Sequence, residues 1–271
     1  LNIPVSVLVL TRNEQQDLPA CLESVAWSDD VHVYDSFSSD ATPDIARAHG
    51  ASVTQRGFDG YASQRNAALS GLPFRHAWVL ILDADERVPP ALRDELARTV
   101  AAAPEVAAFR IRRRDFFMGR WLKHAQISPF YVRLVRPPQV HYEREINEVL
   151  CVDGSVGELT EPFDHFPFSK GVAHWVAKHN VYSSMEAELI AAGASGPARL
   201  ADALFERDFH RRRVAQKAIF YRLPWRPLVK WLYMMFVRGA VLDGRAGIAY
   251  AFLQAFYEYL IVLKTAEIRS R

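Results

Sequence analysis

The stretch Trp78-Val79-Leu80-Ile81-Leu82-Asp83-Ala84-Asp85-Glu86 decides how this chain is read. Its uninterrupted apolar run suits a strand buried on both faces, the kind found in parallel sheets covered by helices. The run closes on a cluster of carboxylates. Aspartates at alternate positions supply the hard oxygen ligands that suit Mg²⁺ or Mn²⁺, and such an ion bridges substrate phosphates. Taken alone, a D-x-D is explained at least as well by a strand-end turn whose acids cap the next helix. The surrounding sequence has to decide.

Upstream, short β-branched runs alternate with helical patterns, the rhythm of an α/β sheet. The patterns predict strands over 5–10, 30–34, 51–55 and 78–82 and helices over 17–25, 42–49 and 61–69. Pro89 and Pro90 open a helix to about 100, as proline in a first turn does. Strands follow over 106–114 and 131–136, then a long helix over 172–192 that stops at Gly193-Ala194-Ser195-Gly196-Pro197. That breaker cluster divides a domain of 1–196 from an extension of 197–271.

The chain has 271 residues, 50% of them hydrophobic and 24% charged, enough for one large domain or a domain with an appendage. A net charge of +2 does not point to nucleic acid. Cys21 and Cys151 lie far apart without a metal or disulfide spacing, which fits a reducing compartment. The run 5–10 is too short for a signal or a span. The longest apolar stretch, 248–263, includes Gln254 and Glu258 and falls short of the ~20 residues a spanning helix needs. No transmembrane segment is expected.

Polar residues follow the first two strands: Thr11-Arg12-Asn13-Glu14, then Asp35-Ser36-Phe37-Ser38-Ser39-Asp40-Ala41-Thr42. Ligands bind at the carboxyl ends of strands in open α/β sheets, so both segments can meet in one crevice. For Ser39, Asp40 and Thr42 a turn-and-cap role is equally natural, and Asp40 is read as structural.

With Gln64-Arg65-Asn66 and Asp83-Ala84-Asp85-Glu86 in order behind them, these segments resemble the inverting glycosyltransferases of family two. Within that family the chain is similar to the branch of bacterial lipopolysaccharide-core β-glucosyltransferases. Phe117-Met118-Gly119-Arg120-Trp121, Arg133-Leu134-Val135-Arg136, Val152-Asp153-Gly154 and Leu242-Asp243-Gly244 extend the likeness over nearly the whole chain.

The resemblance implies a GT-A fold, a Rossmann-like, mostly parallel mixed sheet flanked by helices, here with a C-terminal amphipathic helical extension. Residues 1–105 would form the nucleotide-sugar half and 106–196 the acceptor side. It implies a nucleotide-sugar donor, a UDP-sugar by preference, held by Thr11, Asn13, Glu14, Asp35, Arg65, Asp83, Ala84, Asp85, Arg133 and Arg136. Mg²⁺ or Mn²⁺ would be bound by Asp85 as main ligand, with Asp83 and His165. Arg133 and Arg136 have an exposed strand face as their alternative, and His165, set among aromatics, a place in the core. Inverting transfer needs a base for the acceptor hydroxyl. The resemblance aligns Glu148 with that base, while Asn147 stands where the branch has histidine. A solvated charged edge remains the other reading of 143–148.

Residues 207–238 concentrate cations, Arg207, Arg211, Arg212, Arg213, Lys217, Arg222, Arg226, Lys230 and Arg238, among aromatics. That composition suits helices lying in an anionic membrane interface; packing of the aromatics on the catalytic domain is the alternative, and nucleic-acid binding is set aside. The expectation is an enzyme peripheral on the inner, cytoplasmic face of the cytoplasmic membrane, acting on a glycan or glycolipid acceptor. Its rivals are a peptide or protein glycosyltransferase, a catalytically silent sugar-nucleotide-binding protein, and a nucleotidyltransferase. The last normally carries a glycine-rich loop that Thr11-Arg12-Asn13-Glu14 does not supply.

Overall fold

The computed structural model describes residues 2–102, 105–143, 149–193, 200–206, 209–223 and 225–270. The chain runs β1 (Ser6–Thr11), α1 (Leu18–Ser24), β2 (Val31–Asp35), α2 (Thr42–Ala48), β3 (Ser52–Gln55), α3 (Tyr61–Gly71), β4 (Val79–Asp83), β5 (Glu86–Arg87), α4 (Pro90–Ala101), β6 (Ala108–Phe117), β7 (Arg120–Trp121), β8 (Phe130–Val135), β9 (Val140–Glu143), β10 (Val149–Val152), β11 (Val156–Glu158) and β12 (Phe163–His165). Helices α5 (Gly171–Ala191), α6 (Leu200–Phe205), α7 (Phe209–Phe220), α8 (Arg226–Leu232) and α9 (Gly244–Arg269) complete it. Two compact units result, Leu1–Phe116 with Ser128–Ser169, and Phe117–Ile127 with Lys170–Arg271.

In the first unit the strands lie in the order β3-β2-β1-β4-β8-β6-β12-β5, with β11 beside β6. The pairs among β1, β2, β3 and β4 are parallel, and β8 runs antiparallel to both β4 and β6. This is the mixed, mostly parallel sheet flanked by helices that the sequence pattern implies. Period-two alternation sorts its side chains. Val7, Val9, Leu80 and Leu82 pack on one face with Leu18, Cys21 and Leu22 of α1 and with Leu92, Leu96 and Val100 of α4. Leu8, Val79 and Ile81 pack on the other face with Ala62, Ala68 and Leu69 of α3. Both faces of β4 are therefore covered, and its polar end emerges only where the strand stops.

In the second unit α5 packs along α9, and α9 also packs on α8. The helix 172–192 expected to close the catalytic domain thus sits with the C-terminal helices, because its apolar residues find their partner in α9. The division expected at 196/197 lies outside the described residues. Asp243, almost fully buried, accepts hydrogen bonds from the backbone N–H groups of His124 (2.9 Å) and Ala125 (2.7 Å), and its Oδ1 lies 2.8 Å from His124 Nδ1. Arg120 Nη2 donates to Leu242 O at 3.1 Å. These bonds tie segment 117–127 to the start of α9 and give the Leu242-Asp243-Gly244 motif a structural role.

The apolar stretch 248–263, read from the sequence as too short for a span, lies within a longer helical segment. The helical stretch Ala240–Arg269 is long and apolar enough to cross a membrane by length and composition, and among the described residues it is the one candidate. Gln254 and Glu258 interrupt the apolar run without interrupting the helix, since both are good helix formers. One side of α9, including Tyr250, Ala251, Glu258 and Ile261, is buried in the unit.

Candidate active site

The carboxyl ends of three parallel strands create the site. Register places Thr11 beside Asp35 and Leu10 beside Asp83, so the ends of β1, β2 and β4 lie side by side. Asp35 is fully buried. It accepts from Thr11 Oγ1 at 2.9 Å, the Ser38 N–H at 2.8 Å, the Ser38 hydroxyl, and Gln55 Nε2 at 2.9 Å. Burial alone would raise its pKa, but the donors, Gln55 and Ser38 foremost, hold the carboxyl below its ordinary value. Asp35 here organises the loop after β2.

The loop after β1 is stapled to the loop after β2. Asn13 adopts a left-handed conformation (φ 56°), donates its N–H to Ser38 Oγ at 2.8 Å and accepts from the Ser39 N–H at 2.8 Å. The Glu14 N–H donates to Thr42 Oγ1, also at 2.8 Å. Asp40 Oδ1 accepts from the Thr42 N–H at 3.0 Å and Oδ2 from the Gln15 N–H at 3.2 Å, the structural role read from the sequence.

At the end of β4 the acids divide their labour. Asp83 accepts from Arg65 Nη2 at 3.0 Å on one oxygen and from Arg133 Nη2 at 2.9 Å on the other. Glu86 is buried; its Oε1 takes Arg133 Nη2 at 2.5 Å and its Oε2 takes the Asp83 N–H at 3.0 Å. Desolvation works to raise the pKa of Asp83, yet the two guanidiniums outweigh it and hold the group well below the carboxylate range. For Glu86 burial prevails over Arg133 and pushes the carboxyl up to about 7. Arg133 is itself buried, and its two carboxylate neighbours keep it protonated. Glu86 is thus the inner partner of Arg133, and the turn belongs to Arg87, which donates to Ala84 O at 2.7 Å. Ala84 is buried within that turn.

Asp85 points elsewhere. Its Oδ2 lies 3.3 Å from His165 Nε2, and His165 Nδ1 lies 2.5 Å from Asp115 Oδ1. Register produces this line, because His165 is paired with Asp115 in β6 and with Glu86 in β5. Burial lowers the imidazole pKa, but the hydrogen bonds to Asp115 and Asp85 prevail and raise it to about 9. Asp115 also pairs with Arg113, whose Nη2 donates to Asp115 Oδ2 at 3.4 Å and whose Nε lies 3.1 Å from Asp115 Oδ1.

Not every expected residue arrives. Arg136 lies at the far end of the sheet: Val135 pairs with Val79 at the start of β4, and the Arg136 guanidinium sits 4.3 Å from the Trp78 ring centroid. Antiparallel β8 can present only one end to the crevice, and Arg133 occupies it. Asp83, expected to share the metal, has its oxygens engaged by two arginines. Glu148, the expected base, lies outside the described residues, as does Asn147.

Two contributors escaped the sequence reading, Asp115 and Tyr142; for Glu86 the sequence left open whether it orients the site or begins the turn completed by Arg87 and Pro89, and its carboxylate contacts Arg133. The buried Tyr142 ring lies 5.3 Å from the Arg65 guanidinium, and burial raises the phenol pKa. Asn66 clamps the backbone of Tyr142, donating to its carbonyl at 2.8 Å and accepting from its N–H at 2.7 Å. The available signals were slight: a lone acid after Arg112-Arg113-Arg114, and the alternation Val140-His141-Tyr142-Glu143.

The family model "Glycosyl transferase family 2" matches residues 6–156, more than half of the chain. The chain belongs to this family. A lipopolysaccharide core biosynthesis glycosyltransferase of Rhizobium meliloti (strain 1021), LpsC, is 25% identical over 272 residues, 97% of this chain and 92% of the relative. An uncharacterized glycosyltransferase of Rickettsia felis is 36% identical over 198 residues, 68% of this chain and 69% of the relative. Among solved structures, TarS of S. aureus aligns with a TM-score of 0.44 and 15% identity over 95% of this chain and 91% of that one.

In this family 2 glycosyltransferase the matched span holds the whole Arg65–Asp83–Arg133–Glu86 network and stops short of His165. Asp85 offers a hard carboxylate oxygen. His165 offers Nε2 on a ring oriented from its other nitrogen by a carboxylate, the arrangement metal-bound histidines commonly carry. That donor set fits a divalent cation, with carboxylate favouring Mg²⁺ or Mn²⁺.

Proposed function

We propose that the chain is a metal-dependent, inverting hexosyltransferase. It moves a sugar from a nucleoside diphosphate donor, a UDP-sugar, to a hydroxyl of a glycan or lipid-linked glycan in cell-envelope polysaccharide or lipopolysaccharide core synthesis. The observation that carries the reading is the Asp85–His165–Asp115 line beside the Arg65–Asp83–Arg133–Glu86 network at the carboxyl ends of the strands. The kinship with LpsC over nearly the full chain supports an envelope glycan as acceptor.

In this reading Asp85 and His165 hold Mg²⁺ or Mn²⁺, which when bound neutralises charge growing on the leaving diphosphate. The arginine pair fixes Asp83 at the ribose side, and Arg65, backed by Tyr142, lies beside the base or diphosphate. Thr11, Asn13, Glu14 and Asp35 shape the nucleoside end. Glu148 takes the proton from the acceptor hydroxyl as it attacks the anomeric carbon, and a single in-line displacement inverts that centre.

Calorimetric titration with nucleotide sugars in the presence of Mn²⁺ or Mg²⁺ tests the donor. Binding that is metal-dependent and lost in Asp85→Ala is expected; absence of binding by the intact chain would defeat the reading. Transfer unchanged by Glu148→Gln would remove the base assignment and leave the rest standing.

The same reading has the second unit resting on the inner face of the cytoplasmic membrane. The contact it supports is apolar more than cationic. Trp225, Phe236, Val237 and Leu242 are 80%, 70%, 74% and 62% exposed, and all lie on one stretch of chain. Arg226 is buried, Lys217 pairs with Glu186 at 2.6 Å, and Arg238 donates to His124 O at 3.2 Å. Arg207 and the side chains of Arg211 and Arg213 lie outside the described residues.

A further inference from the structure

A separate cluster of ligating side chains lies on the β9–β10 hairpin. In β9 the side chains alternate: Val140 and Tyr142 are buried, while His141 and Glu143 face solvent. Antiparallel pairing sets Cys151 directly opposite His141. Directly opposed residues share a face, and so do residues two apart, so imidazole, carboxylate and thiol converge on one side of the hairpin. His141 Nε2 lies 3.2 Å from Glu143 Oε1, and one ligand atom from each of the three residues lies within 4.8 Å of the others.

We propose that His141, Glu143 and Cys151 bind a transition-metal dication, Zn²⁺ before others, at a site independent of Asp85 and His165. Tetrahedral zinc with nitrogen, oxygen and sulfur ligands separates its ligand atoms by about 3.3–3.6 Å. The His141–Glu143 pair, at 3.2 Å, falls just short of that spacing. Bringing in the thiolate takes a movement of about an ångström, which exposed side chains make by rotamer change. Thiolate and imidazole select zinc over magnesium, the reverse of a carboxylate-led site. Three protein ligands leave the fourth position to water. The bound ion ties β9 to β10, the strands joined by 144–148, the segment that carries Glu148. Cys21, the chain's other cysteine, is buried with its thiol pushed far up by that burial, and it does not compete.

The test uses the full chain with Asp85→Ala to silence the other candidate site. Titration of the reduced protein with Co²⁺ is expected to raise a thiolate-to-cobalt charge-transfer band that saturates at one equivalent and is bleached by Zn²⁺. Cys151→Ser abolishes the band, and His141→Ala weakens Zn²⁺ binding, measured against a chromophoric chelator, at least about tenfold. All three side chains are at least half exposed to solvent or on the hairpin's outer face, and unchanged circular dichroism will verify folding. No band in the parent protein, a band that survives Cys151→Ser, or a zinc affinity unmoved by both His141→Ala and Glu143→Ala would each overturn the proposal.

Discussion

Arg133 bridges β8 to the turn after β4, with Asp83 on one side and the buried Glu86 on the other. Replacing it by methionine keeps the bulk, leaves the buried Glu86 carboxylate without its cation and takes from Asp83 one of its two, Arg65 remaining, so Arg133→Met is expected to cost about 3–5 kcal/mol in urea denaturation. His165 makes a prediction of opposite character. Its folded pKa, raised to about 9, means that a metal must displace a proton from Nε2 at any lower pH. Metal affinity should therefore climb by up to about tenfold per pH unit toward pH 9 and then level, and His165→Gln should flatten the slope. In metal-free protein the sign is reversed: stability contributed by the protonated ring is complete below pH 6.5 and is lost as pH rises through about 9. The D-x-D and Arg65 were legible in the sequence because their chemistry is local. Asp115 was not, since its meaning depends on a histidine 50 residues away brought alongside by strand register.

Elements that bury a face announce themselves by period. Strands β1, β2 and β4 and helices α1 to α4 lie within a residue or two of their expected bounds, because apolar alternation and first-turn prolines mark them. The short strands β5, β11 and β12 carry no such signal, being held by pairing rather than by their own composition. The end of the sheet to which each antiparallel residue falls was equally hidden, hence the misplacement of Arg136. The junction of α3 and β9 can be tested directly. Asn66→Ala leaves the N–H and C=O of Tyr142 without their side-chain partner, with an expected loss of about 1–3 kcal/mol and faster hydrogen exchange at that amide. As Tyr142 backs Arg65, donor binding should weaken while metal affinity stays level. In the second unit, a Cβ on Gly247 would stand 2.1 Å from Ala240 O. Gly247→Ala should lower the thermal midpoint through a displaced α9 start, at a cost of about 1–3 kcal/mol.

At the scale of the molecule, the described cations and aromatics of the C-terminal helices divide between the interior of the unit and its surface. The buried Glu258 has Arg226, Lys230, Glu186 and Lys217 among its charged neighbours, and burial raises the pKa of the acid and lowers that of Lys230. Arg226 is thus buried and Lys217 is paired with Glu186, while Trp225, Tyr233, Phe236 and Val237 remain outside. Composition displayed both populations, but which one faces outward depends on how α8 packs on α9, and that no local pattern encodes. The arrangement predicts hydrophobic rather than electrostatic membrane attachment. In flotation of the full chain, vesicles of neutral lipid should retain most of the protein that anionic vesicles do, and raised salt should release little, since screening acts on exposed charges. Each aromatic side chain that enters the interface contributes about 1–2 kcal/mol, so Trp225→Ala with Phe236→Ala should lower partitioning about 30-fold or more. Arg222, also exposed, should matter far less when replaced by Gln. Recovery confined to anionic vesicles, abolished by salt and indifferent to the aromatic double variant, would restore the cations as the anchor.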